Sequence, residues 1–215
     1  METYKIITLG DTGVGKTSII DRYTKGIFEE DMLSTIGVYF SFKDLTLEDG
    51  TKVKLKFIDT AGQEKYKSIA KSYYKNVQGV LFVFAFNNKN SFEHIEDWME
   101  CMKEKGEDNK DIPIFLVGNK NDVEKKEIDE NLIEDLKNKM GIDNYIETSA
   151  KDNIGIEELF NKLAEIMYNK SKKYNGKKQK NIILEDSIKK EKDKNRRKKK
   201  KCCAPVYLKN SNSKK

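Results

Sequence analysis

The sequence predicts an α/β fold built on a mostly parallel sheet, and three observations carry that prediction. The runs Val80-Leu81-Phe82-Val83-Phe84-Ala85-Phe86 and Ile112-Pro113-Ile114-Phe115-Leu116-Val117 are continuously apolar, as strands covered on both faces are. Segments of helical period lie between and after them, so strand and helix alternate. The first apolar run, Tyr4 to Leu9, leads without interruption into the glycine turn Gly10-Asp11-Thr12-Gly13-Val14-Gly15-Lys16-Thr17.

Each element follows in order. After the turn, Lys16 to Lys25 reads as a helix with Ile19, Ile20 and Tyr23 on one face. Val38 to Leu47 alternates, Glu48-Asp49-Gly50 is a turn, and Val53, Leu55 and Phe57 alternate with Lys52, Lys54 and Lys56. That pattern is a hairpin with one wet face, and it supplies an antiparallel edge. Further helices are expected over Ser91 to Lys105, Asp129 to Met140 and Ile154 to Tyr168. The last carries Ile156, Leu159, Phe160, Leu163, Ile166 and Met167 as one core stripe. A short strand, Tyr145-Ile146-Glu147, precedes it, and no repeat is visible.

The chain has 215 residues, enough for one domain and a tail. Charge locates the boundary: residues 169–215 hold 19 Lys and Arg against 4 Asp and Glu. The tail is thus +15 in a chain of net charge +6, which leaves about −9 on residues 1–168. An acidic domain, 1–168, is expected to carry a basic, disordered tail, 169–215. Of 42 basic residues only Arg22, Arg196 and Arg197 are arginines. The three cysteines, Cys101, Cys202 and Cys203, make neither a disulfide framework nor a metal quartet, and a reducing compartment is expected. No apolar stretch approaches 18 residues, no secretory signal pattern opens the chain, and Glu2 rules out the Met-Gly start of myristoylation.

The turn at 10–17 matches G-x-x-x-x-G-K-[ST], whose backbone N–H groups cradle phosphate while the lysine adds charge and the hydroxyl reaches Mg2+. A helix starting at Lys16 aims its dipole at the same anion. Asp59 ends an apolar strand and precedes Thr60-Ala61-Gly62-Gln63, so it can hold Mg2+ while Gly62 offers an N–H to a γ-phosphate. Asn119-Lys120-Asn121-Asp122 follows the strand ending at Val117. A carboxylate at Asp122 accepts from the N1–H and the exocyclic amine of guanine, a donor pair that adenine lacks. Ser149-Ala150-Lys151 can bring backbone N–H groups to the guanine carbonyl.

Quoted as they stand, the segments GDTGVGKTS, STIGVYF, DTAGQEKYKSIAKSYYKN, GNKND and ETSAK occur in this order across residues 4–168. Together they resemble a small GTPase of the Ras superfamily, most like the Rab family. The resemblance implies a P-loop G domain: a mostly parallel six-stranded sheet, one antiparallel edge strand, and about five helices on both faces. It implies GTP, GDP and Mg2+ as ligands. Asp11, Gly13, Val14, Gly15, Lys16, Thr17 and Ser18 would surround the phosphates, with Phe28 stacked on the guanine. Asn119, Lys120, Asp122, Ser149, Ala150 and Lys151 would read the base. Thr17 and Thr35 would ligate the metal with support from Asp59, and Gln63 would orient the attacking water. Lys16 and Thr35 would assist the reaction. With Arg22 on the first helix and the other arginines in the tail, turnover alone is expected to be slow and to need an activating partner.

The resemblance further implies an exchange factor, a GTPase-activating protein and effectors reading residues around 32–45 and 62–76, with the chain a monomer. Ile58 stands where Rab proteins usually have Trp, Tyr39 and Ala85 where they usually have Asp, and Thr12 where Ras has Gly. Arg196 to Lys201 precede Cys202-Cys203 like a polybasic, lipidated Rab tail, yet Ala204 to Lys215 follow. Prenylation, palmitoylation and an unmodified, solvated tail all stay open, as does nuclear targeting by the basic run. No aromatic interleaving marks a specific nucleic-acid site. The leading expectation is a switch that recruits effectors in vesicle traffic at the cytosolic face of an internal membrane; the alternative is a soluble, Ran-like carrier. His94 reads as solvated, Trp98 and Met102 as core, and Cys101 as a bystander.

Overall fold

A computed structural model describes residues 1–30, 32–61, 73–104 and 112–174. The chain divides into two units, Met1–Asn169 and Lys170–Lys215. Among the described residues the order is β1 (Glu2–Leu9), α1 (Lys16–Lys25), β2 (Val38–Thr46), β3 (Lys52–Thr60), β4 (Gly79–Ala85), α2 (Lys89–Glu93), α3 (Ile95–Lys103), β5 (Ile114–Asn119), α4 (Glu130–Met140) and β6 (Asn144–Glu147). A fifth helix, α5, covers 156–174.

The strands form one six-stranded sheet in the order β2-β3-β1-β4-β5-β6. All neighbours are parallel except β2 and β3, which run antiparallel from Val38 opposite Thr60 to Thr46 opposite Lys52. The expected mostly parallel sheet with one antiparallel edge is therefore borne out, and the hairpin turns at the expected Glu48 to Gly50. β1 lies between β3 and β4, so the chain reverses its direction of winding around it. The crevice at the carboxyl ends of such strands is where α/β sheets bind ligands.

Alternation along the central strands splits the core in two. Leu81, Val83 and Ala85 of β4 join Ile19 and Ile20 of α1 and Leu159, Phe160 and Leu163 of α5. Val80, Phe82 and Phe84 join Trp98 and Met99 of α3 and Ile133 and Leu136 of α4. The continuous apolar run at 80–86 is thus what a strand with both faces buried requires. Trp98 and Met102 are buried as expected, and Cys101 is half-buried.

Helix bounds differ from the sequence expectation in three places, each for a local reason. The helix expected over Ser91 to Lys105 starts at Lys89, because the Asn88 side chain caps the N–H of Ser91, and it is divided at His94 into α2 and α3. Asp129 stands outside α4 as its cap, accepting from the N–H of Leu132. Ile154 is excluded from α5 because it exchanges two backbone hydrogen bonds with Ser149, and the helix then runs on past Tyr168.

Candidate functional site

The phosphate loop is held by contacts that leave no space for other residues at two of its glycines. A Cβ on Gly10 would stand 2.1 Å from the carbonyl oxygen of Val83, and one on Gly15 would stand 2.3 Å from Nδ2 of Asn119. Both glycines also take a positive φ. The loop thereby packs against β4 and β5 and delivers Lys16 at the first position of α1. The Lys16 ammonium is buried and donates to the carbonyls of Gly10 at 2.9 Å and Asp11 at 2.8 Å. Burial pushes its pKa down to about 8 against the pull of the Asp59 and Asp11 carboxylates. A desolvated cation of this kind is held charged by an anion, and a phosphate fits it.

Beside it runs a chain of hydroxyls and carboxylate. Thr17 Oγ1 lies 2.7 Å from Thr35 Oγ1 and donates to Asp59 Oδ2, while Thr8 Oγ1 donates to Asp59 Oδ1 at 3.1 Å. The parallel register of β1 and β3 places Thr8 opposite Asp59. Burial raises the pKa of Asp59, although the Thr17 hydroxyl and the Lys16 charge hold it back. Two hydroxyls and one carboxylate form an all-oxygen donor set on separate elements, which suits a hard cation such as Mg2+.

The base side is organised by Asn119. Its Nδ2 donates to the carbonyl of Val14 at 2.8 Å, and its Oδ1 accepts from Thr148 Oγ1 at 3.1 Å and from the N–H of Ala150 at 3.4 Å. One amide at the end of β5 thus joins the phosphate loop to the segment after β6. Lys120 takes φ 61°, which turns the chain so that Asp122 faces Ser149, whose hydroxyl donates to Oδ1 at 2.6 Å.

These groups surround a cleft of about 460 Å³. Of the residues singled out in the sequence, Thr12, Gly13, Gly15, Lys16, Thr17, Ser18, Phe28, Thr35, Asn119, Lys120, Asp122, Ala150 and Lys151 line it. Val14 and Ser149 are buried behind the wall and act through Asn119 and Asp122. The Asp11 carboxylate turns away from the cleft to α3, where Oδ1 accepts from Trp98 Nε1 at 2.9 Å and Oδ2 lies 2.6 Å from His94 Nδ1. The Asp11 carbonyl accepts from Lys16 at 2.8 Å, while its carboxylate acts on that ammonium through its charge alone. Gly62 and Gln63 lie outside the described residues, as do Cys202 and Cys203.

Sequence reasoning missed several residues. Met32, Leu33 and Ser34 also line the cleft, and Glu30 lies 3.3 Å from the Lys151 ammonium, joining its two rims. Trp98 of α3 and His94, the residue that caps it, act on the phosphate loop. No linear motif connects positions 11, 94 and 98; only the packing of α3 against β4 does.

On the outer edge, Leu33 and Ile36 are 90% and 83% exposed, and Tyr39, Phe40 and Phe42 are exposed beside them. Lys56 Nζ sits 4.7 Å from the Phe40 ring centre. Ile58 is 3% exposed, so it adds little to that surface.

Comparison with known proteins agrees with this geometry. A Ras family profile matches residues 5–169. Ras-related protein Rab-11B of Dictyostelium discoideum is 43% identical over 168 residues, covering 76% of this chain and 73% of that protein. Ras-related protein Rab-13 of Bos taurus is 36% identical over 179 residues, covering 83% and 85%. Ras-related protein Rab-8 of Diplobatis ommata is 37% identical over 174 residues, covering 80% and 81%. Nothing in these matches favours a Ran-like carrier.

Proposed function

This chain belongs to the Ras family of small GTPases and is most like its Rab branch, and from that premise we propose that the cleft at the end of β1 is a GTP and GDP site with Mg2+. The observation that carries the reading is the hydrogen-bonded series Thr35, Thr17, Asp59 beside the buried Lys16. It brings a residue of the loop before β2 onto the phosphate-binding helix and the end of β3. A ligand that binds at Thr17 can therefore set where residues 32–37 lie, which is what a switch needs.

The family binds guanine nucleotides, and the finer assignments are ours. Lys16 and the loop N–H groups hold the phosphates, Phe28 stacks on the base, and Asp122 and the 149–151 segment read it. Thr17 and Thr35, supported by Asp59, would hold Mg2+, which supplies charge neutralisation on the phosphate oxygens. Gln63 orients the water whose oxygen bonds to the γ-phosphorus as the bond to the bridging oxygen breaks. Because the transferred group is loose, positioning and electrostatics carry the catalysis. No arginine lines the described part of the cleft. Hydrolysis is accordingly slow until an activating protein accelerates it by about 10³ to 10⁵ fold.

Partners follow the same reading. An exchange factor and effectors would read the exposed aromatic edge at 32–45 together with 62–76. The tail, 169–215, would join an internal membrane by its cytosolic face, through basic charge and lipid on Cys202 or Cys203, since stable anchoring takes two signals. Equilibrium titration of the purified chain with GDP and ADP tests the core of this reading. GDP binding at least a thousandfold tighter than ADP supports it, and equal affinity would sink it. Mass spectrometry of the protein from its native cells tests the tail, where unmodified cysteines on a cytosolic chain would remove the lipid.

A further inference from the structure

We propose that Arg22 is the positioning residue that fixes the base-reading side of the cleft to the phosphate-binding helix and so sets the rate of nucleotide release. The proposal rests on the nucleotide reading above. Across residues 1–195 this chain uses lysine at every basic position but one, and that one is Arg22. In a lysine-rich chain a single arginine marks a place where a point charge does not suffice.

The geometry states what the place requires. Arg22 Nε donates to the carbonyl of Ala150 at 2.8 Å, one terminal nitrogen donates to the carbonyl of Lys151 at 3.0 Å, and the other donates to the carbonyl of Gly26 at 3.0 Å. The guanidinium carbon lies 5.8 Å from the centre of the Phe28 ring. One planar fork therefore meets four groups: two adjacent carbonyls of the 149–151 segment, the residue that caps α1, and the aromatic wall of the cleft. An ammonium has no plane with which to bridge adjacent carbonyls and reach a third.

Its position along the helix gives the contacts their consequence. Lys16 and Arg22 stand six residues apart on α1, about 9 Å along a rigid axis. The first holds the phosphate side and the second holds the base side, so α1 sets the distance between the two. Among the described residues Arg22 touches none of the groups assigned to phosphate chemistry, so its loss acts on the base side. Ala150 and Lys151 line the cleft, and a looser segment there lets the base depart while Lys16, Thr17 and Asp59 stay in place.

The test uses the full-length chain loaded with a fluorescent GDP analogue, comparing wild type, Arg22→Lys, Arg22→Ala and a core control, Leu163→Ala. Release should speed up at least tenfold in Arg22→Lys and further in Arg22→Ala. Single-turnover hydrolysis of preloaded GTP should stay within about twofold of wild type, in keeping with a site whose phosphate side is unchanged. Leu163→Ala, which lowers the melting temperature by opening the core under α5, should leave release near the wild-type rate. Release unchanged in Arg22→Lys would overturn the proposal, as would hydrolysis that falls in step with release, or a core control that speeds release equally. If wild type itself holds no GDP, the nucleotide reading fails instead.

Discussion

The indole Nε1 of Trp98 donates to Oδ1 of Asp11 at 2.9 Å, tying α3 to the second residue of the phosphate loop. The carbonyl of that same Asp11 receives the Lys16 ammonium, so a core tryptophan sits two bonds of hydrogen-bonding away from the cation that meets phosphate. Trp98→Phe keeps an aromatic in the core and removes the donor. A hydrogen bond to a charged group is worth about 1.5–3 kcal/mol, and the loss should appear as a lower urea midpoint. GDP affinity should fall several-fold alongside. An unchanged midpoint and affinity would show that Asp11 is held by His94 alone.

Thr17→Ala removes the hydroxyl shared by Thr35 and Asp59. In millimolar Mg2+ the variant should hold GDP roughly ten- to a hundredfold less tightly than wild type, the equivalent of about 1.5–3 kcal/mol. With excess EDTA the two proteins should converge, because the hydroxyl then has no metal to support. Release rates measured with and without EDTA check this; a difference that survives chelation would assign Thr17 a role apart from the metal.

Asp122→Asn exchanges a carboxylate that accepts two N–H groups for an amide that accepts one and donates one. The variant should lose GDP affinity and gain xanthosine diphosphate, whose 2-carbonyl accepts where the guanine amine donates. Sites built on such pairs discriminate by about 10⁴ fold or more. Ser149 still donates to the amide oxygen, so the loop should survive. Calorimetric titration with both nucleotides decides the matter, and retained preference for GDP would show that Asp122 does not read the base.

Tyr23 packs its ring 4.4 Å from Phe160 and 6.0 Å from Phe57, and its hydroxyl is buried without a hydrogen-bond partner. Burial, with Glu157 adding to it, pushes its pKa up from 10.0 to about 12. Between those values the unfolded chain has released a proton that the folded chain keeps, so stability falls as pH rises through this window. Tyr23→Phe should remove this decline, so that the gap between the two proteins' stability curves widens by at most about 1.4 kcal/mol per pH unit there. At neutral pH it should be neutral or stabilising by up to about 1 kcal/mol, since an unpaired polar group is removed. Denaturant titrations from pH 8 to 12 measure both.

The sheet was legible because the apolar runs at 80–86 and 112–117 cannot alternate when both faces are covered, and α1 ran from Lys16 to Lys25 as its period required. The cleft was legible wherever consecutive residues carry the chemistry, as in 10–17 and 119–122. It was opaque where function passes between elements. Arg22 read as an ordinary helix residue because its three acceptors are carbonyls that no side-chain pattern reveals. The break at His94 was hidden for a similar reason: α2 and α3 share one apolar period, and only the backbone shows the joint.

Asn119, Arg22 and Lys16 hold the cleft together by donating to main-chain oxygens of Val14, Gly26, Ala150, Lys151, Gly10 and Asp11. Every residue type has such an oxygen. The frame therefore depends on the side chains of its three donors and only on the main-chain path of its acceptors. Inheritance in such a design is lopsided: a change at Asn119, Arg22 or Lys16 removes a bond outright, whereas a change at an acceptor acts through the space and backbone angle it needs, as at Gly10.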